Sequence, residues 1–144
     1  MKSSKYVIGL AGNPNSGKST IFHNLTGARV HIGNWPGVTV EKKVGFFKCK
    51  DRDVEIVDLP GIYSLTTYTT EEMVTRDFIL KKKPDLIIDV VDASNLERNL
   101  YLAVQLLELG IEVLLVFNMS DEAKNTGYEF DYKILAQLLG VRIV

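Results

Sequence analysis

The sequence predicts an α/β domain built on a mostly parallel, six-stranded sheet with helices on both faces. Three observations carry that expectation. Apolar and β-branched runs of strand length recur at residues 6–11, 85–92, 112–118 and 141–144. Amphipathic stretches at residues 18–25, 71–80, 96–109 and 131–139 fall between them, and glycine or proline marks most of the junctions. Strands separated by whole helices cannot pair through tight hairpins, so they pair in parallel, and the intervening helices cover the sheet on both sides.

Taken in order, residues 6–11 (YVIGLA) read as a buried strand, followed by a glycine-rich turn and a helix over 18–25. Residues 41–50 and 53–58 read as two strands across the short polar link Asp51-Arg52. The first of them alternates polar and apolar residues, as expected of an antiparallel edge partner of the second. A helix over 71–80 ends before Pro84, and the strand-like runs 85–92 and 112–118 flank a helix over 96–109 that is closed by Gly110. Residues 131–139 form a further helix, again followed by a glycine, and 141–144 begin a last strand. Residues 28–40, with two glycines, a proline and the single tryptophan, Trp35, read as a loop too long to be a mere connection.

A chain of 144 residues is one domain's worth of protein. Seventeen basic and eighteen acidic side chains leave a net charge of −1, so no global field draws the chain to nucleic acid or anionic lipid, and no nucleic-acid partner is expected. The lone Cys49 can form no intrachain disulfide and fits a half-buried strand position in a protein of a reducing compartment. The longest aliphatic-aromatic run, residues 113–117, is far below the ~20 apolar residues of a membrane span. Residues 1–5 carry two lysines but lead into no apolar core with a small-residue cleavage site, so no signal peptide is expected. His23 and His31 have no metal-ligand spacing, and Lys81-Lys82-Lys83 read as a solvated helix end that complements its dipole.

Gly12-Asn13-Pro14-Asn15-Ser16-Gly17-Lys18-Ser19 fits G-x-x-x-x-G-K-[ST] between a strand and a helix, with Thr20 extending the run into that helix. Such a loop turns its N–H groups towards phosphate oxygens, and the helix that follows adds the positive end of its dipole. Lys18 would neutralise the β- and γ-phosphates, and Ser19 would offer its hydroxyl to Mg²⁺. Asp58-Leu59-Pro60-Gly61 fits D-x-x-G at the end of the next strand: Asp58 would hold a Mg²⁺-bound water, and the Gly61 N–H would meet the γ-phosphate. Asn118-Met119-Ser120-Asp121 fits N-x-x-D. The Asp121 carboxylate can accept from guanine N1–H and its exocyclic amine, donors that adenine lacks at those positions, so GTP should be favoured strongly over ATP. Thr39, in the long loop, can complete the Mg²⁺ shell with its hydroxyl and sense the γ-phosphate with its N–H. Lys18, Thr39 and Gly61 are thus the residues expected to act in turnover.

These motifs together resemble the translation-factor-like small GTPases. The segment GNWPGVTVE (33–41), placed after GNPNSGKST and before DLPGIYSL, with LERNL (96–100), resembles the N-terminal G domain of the FeoB family of ferrous-iron transporters. The resemblance implies a Ras-like P-loop GTPase fold, GTP and GDP as ligands, Mg²⁺ and K⁺ as cofactors, and slow GTP hydrolysis. It implies that Asn15 ligates K⁺, with backbone carbonyls around Gly33 and Trp35 completing that site. It also implies a place on the cytoplasmic face of a prokaryotic inner membrane, with helical and transmembrane domains as partners in the intact transporter, and leaves self-association open. Two departures are visible. Met119 stands where many GTPases carry a lysine, and the chain stops at Val144, short of the guanine-buttressing loop, so that the domain is expected to be truncated. Ile62 follows Gly61 in place of a water-orienting glutamine, which keeps alive a nucleotide-sensing module with negligible turnover. An RNA- or ribosome-associated GTPase is the other alternative.

Overall fold

The computed structural model describes residues 5–66, 68–118 and 131–144. β1 (Tyr6–Gly12) leads into α1 (Lys18–Thr26), β2 (Val30–Asn34), β3 (Glu41–Cys49) and β4 (Arg52–Asp58). α2 (Thr70–Asp77) continues as a wider π-helical turn (Phe78–Lys82), and β5 (Leu86–Asp92) passes through a short 3₁₀ turn (Ala93–Asn95) into α3 (Leu96–Glu108). β6 (Val113–Asn118), α4 (Tyr132–Leu139) and β7 (Arg142–Ile143) complete the described chain. The strands form one sheet in the order β2-β3-β4-β1-β5-β6-β7. β4, β1, β5, β6 and β7 run parallel, and β2 and β3 are antiparallel at one edge.

The sheet therefore has seven strands where the sequence predicts six. The additional strand, β2, lies inside the segment read as a loop, and four of its five residues are exposed. An edge strand of this kind has no buried face to encode, so its composition carries no alternating signal. The turn between β3 and β4 is centred on Lys50 and Asp51, one residue earlier than expected; both have positive φ, 49° and 66°. Two successive left-handed residues match the right-handed twist of a hairpin. Cys49, at the end of β3, is exposed rather than half-buried.

Each face of the sheet carries its own core. On one, Phe22 of α1 packs with Ile8, Leu10, Ile56 and Val90. On the other, Leu102, Ala103 and Leu106 of α3 and Phe78 and Ile79 of the π turn cover Ala11, Val57, Ile87 and Val91. Helix ends are set by local chemistry. Thr69 accepts from the Glu72 N–H at 3.1 Å to start α2, and Asp131 accepts from the N–H groups of Lys133 and Ile134 to start α4. The lysines after α2 behave as a solvated end, with Lys81 3.7 Å from Asp77 one turn earlier. No described helix is long and apolar enough to cross a membrane.

Candidate functional site: a phosphate cradle at the ends of β1 and β4

β1 delivers Gly12 to the carboxyl edge of the sheet, and α1 begins at Lys18, so residues 13–17 reverse the chain. Asn15 (φ 64°) and Gly17 (φ 92°) are left-handed, and the Ser16 N–H donates to the Asn13 carbonyl at 3.2 Å. This curls the loop, since asparagine tolerates the left-handed region better than most side chains. α1 has no capping side chain and no acidic residue in its first turn, so its leading amides and dipole face outward without a protein acceptor. Asn13 and Ser16 are buried with their side-chain polar atoms unpaired. Such a set of unsatisfied donors around an uncapped helix start fits a phosphate group.

The D-x-x-G segment is strapped to this loop by the backbone. The Leu59 N–H donates to the Leu10 carbonyl at 3.0 Å and the Ile62 N–H to the Gly12 carbonyl at 3.1 Å. Two glycines make the approach feasible. A Cβ on Gly12 would lie 2.8 Å from Ser16 Oγ and 2.9 Å from the Val90 carbonyl, and one on Gly61 would lie 3.2 Å from the Pro14 backbone. Lys18 is ion-paired with Asp58, their side chains 11% and 13% exposed. The Asp58 carboxylate thus already takes a cationic partner beside the cradle.

Ser19 and Thr20 are exposed in the first turn of α1, and Asn15 is exposed on the loop. Asn118 reaches the same place from β6, its Nδ2 donating to the Ser16 carbonyl at 3.1 Å. The structure thus brings together the 12–19 loop, Asp58, Gly61 and Asn118 at the carboxyl ends of β1, β4 and β6. Met119 and Asp121 lie outside the described residues.

Thr39, Gly33 and Trp35 belong to β2 and the loop that joins it to β3. Gly33 is paired with Lys42 in the β2–β3 ladder, three strands from β1, or about 14 Å at the usual strand spacing. Thr39 is exposed in the loop that joins β2 to β3. The Trp35 carbonyl accepts from the Val38 N–H at 3.2 Å. Ser19 and Asp58 carry oxygen ligands of the kind that suit Mg²⁺, an ion that usually takes its remaining ligands from water and phosphate oxygens. Among the described residues no cluster of three or more His, Cys, Asp or Glu could hold a metal without such help.

Several contributors have no sequence signature. The Gln105 side chain accepts from the Leu65 N–H at 2.7 Å and steadies the segment after Gly61. The buried Asn99 accepts from the Asp92 N–H at 3.0 Å at the end of β5. Asp89, which pairs in register with Ala11 just before the cradle, is buried with Oδ2 unpaired, and burial pushes its carboxyl up to about 8.

A family model described as ferrous iron transport protein B matches residues 6–144. The Fe(2+) transporter FeoB of Salmonella typhimurium is 53% identical over 144 residues; the match covers 97% of this chain and 19% of that protein. Among solved structures, an N11A mutant of S. thermophilus NFeoB bound to mGDP is 50% identical with a TM-score of 0.92, covering 98% of this chain and 54% of that one. The cytosolic domain of the T. maritima FeoB iron transporter in its GMPPNP form is 44% identical with a TM-score of 0.91, covering 96% and 55% respectively.

Proposed function

The chain belongs to the ferrous iron transport protein B family, and from that premise we propose that it is the guanine-nucleotide switch of such a transporter, binding GTP and GDP with Mg²⁺ and hydrolysing GTP slowly. It spans about a fifth of the curated relatives it matches, so iron(II) transport belongs to the proposal for the whole protein. So do a helical and a transmembrane partner domain and a place at the cytoplasmic membrane face.

The observation that carries the reading is the cradle itself: an uncapped α1 start, Lys18, Asp58, Gly61 and Asn118 gathered at one edge of the sheet. Lys18 turns from Asp58 to the β- and γ-phosphates. The Gly61 N–H meets the γ-phosphate, and the amides of residues 13–18 line the remaining oxygens. Asp121 reads guanine. In hydrolysis a water oxygen bonds to the γ-phosphorus, the bond to the β–γ bridging oxygen breaks, and GDP and phosphate leave. The cradle stabilises the charge that shifts to the bridging oxygen. Ser19, Asp58 and, in the triphosphate state, Thr39 would hold Mg²⁺, which would supply neutralisation of phosphate charge.

Slowness follows from Ile62. The residue after Gly61 is buried, its N–H tied to Gly12, and it has no polar atom with which to orient water. The same observation sustains a second reading, a sensor whose nucleotide state controls a partner with negligible turnover. Phosphate release over several turnovers separates the two: a steady slow release, faster in K⁺ than in Na⁺, supports the GTPase. Binding without release in either salt supports the sensor. K⁺ stimulation rests here on the exposed Asn15, and equal rates in both salts would remove it.

A further inference from the structure

We propose that the Trp35 side chain is a latch that holds residues 35–40, and Thr39 with them, in the hairpin position, so that withdrawal of the indole from its seat against Phe78 accompanies capture of a nucleoside triphosphate but not of the diphosphate. The inference rests on the switch reading above and deepens it by naming the residue that sets the balance between the two positions of the loop.

Trp35 is only 8% exposed, although it belongs to a segment whose neighbours Pro36, Gly37 and Thr39 are exposed. Its ring meets Phe78 edge-on at 5.8 Å and carries the Lys42 ammonium 4.7 Å above its face. It forms one wall of a groove of about 460 Å³ shared with Val57, Val74 and Phe78. The backbone closes around it, the Trp35 N–H donating to the Val40 carbonyl at 2.9 Å. Phe78 lies in the π turn that continues α2, so one aromatic contact ties the loop before β3 to the segment that follows D-x-x-G.

Thr39 lies four residues before Lys43, the register partner of Asp58, or about 13 Å of extended chain. In the proposed exchange Thr39 turns to a γ-phosphate and its metal, the loop leaves the hairpin, and the indole leaves with it. The seat is built to be left. Trp35 Nε1 is buried without a partner, an unpaired donor that offsets part of what the ring gains by burial. A ligand shifts such an equilibrium only by its differential affinity. The triphosphate offers Thr39 a contact that the diphosphate lacks. If the latch is closed in about 90% of molecules, it weakens apparent triphosphate binding about tenfold and leaves diphosphate binding unchanged.

Trp35 is the only tryptophan, so its fluorescence reports the latch without labelling. Emission and acrylamide quenching of the whole chain should show a buried indole with Mg·GDP and an exposed, red-shifted one with Mg·GMPPNP. In calorimetry, Trp35→Ala should tighten GMPPNP binding about 3- to 10-fold relative to GDP. Phe78→Leu, which keeps the core filled but removes the edge contact, should move the same ratio in the same direction and decides the matter if Trp35→Ala does not fold. Identical fluorescence in the two nucleotides, or a GMPPNP-to-GDP ratio unmoved in the folded variants, overturns the latch alone. Failure of the unaltered chain to bind either nucleotide overturns the switch reading and the latch together.

Discussion

Replacing Asp89 by asparagine should stabilise the domain at neutral pH, and the gain should vanish in acid. Asp89 sits on β5 beside Ala11, buried, with Oδ2 unpaired. Burial raises its carboxyl from 3.8 to about 8. Between those two values the folded chain holds a proton that the unfolded chain has released. Stability therefore falls as pH rises from about 4 to about 8, by ~1.4 kcal/mol per unit, and is level outside that window. At pH 7 the accumulated cost is on the order of 4 kcal/mol. An asparagine releases no proton and so escapes it, though burying its amide without partners costs about 1–3 kcal/mol. The variant should be no more stable than the parent at pH 4.5. At pH 7.5 it should be more stable by about 2 kcal/mol, or roughly 6 °C in Tm for a domain of this size. Thermal melts of both proteins by circular dichroism from pH 4.5 to 8.5 provide the test, because titrations common to both cancel in the difference. Parallel profiles would refute the reasoning, since they would mean that Asp89 ionises freely in the folded state.

Further outcomes follow from the cradle. Lys18→Ala should weaken GTP and GDP binding by about 10- to 100-fold, the weight of a charge-assisted contact, as measured by calorimetry. Gly61→Ala sets a methyl 3.2 Å from the Pro14 backbone, which cannot give way as a flexible side chain would, so GMPPNP binding should fall more than GDP binding. Asn118→Ala removes the bond to the Ser16 carbonyl, so both nucleotides should bind about 2- to 10-fold more weakly with no change in their ratio.

The cradle was legible because its chemistry is local. G-x-x-x-x-G-K-[ST] states where the chain curls and where the helix starts, and the structure curls at Asn15 and Gly17 and starts α1 at Lys18. The central strands were legible for the same reason, β1 and β5 being buried and apolar over most of their length. What the sequence concealed depends on partners distant in the chain. β2 is a strand only because β3 is there to pair with it, and VHIGN has no face to bury. Trp35 reads as a loop aromatic until Phe78 is placed against it. Asn118 carries a contact to the phosphate loop that the N-x-x-D pattern does not express. Asp89 reads as one polar residue in a strand, and only the covering helices make its carboxyl costly.

The central claim, guanine-specific binding at this cradle, is tested most directly by calorimetric titration of the chain with a non-hydrolysable GTP analogue and its ATP counterpart in Mg²⁺ buffer containing K⁺. The guanine analogue should bind at least about tenfold tighter than the adenine one, a preference abolished in Asp121→Ala. Equal affinity for the two bases, or a preference that survives Asp121→Ala, would contradict it.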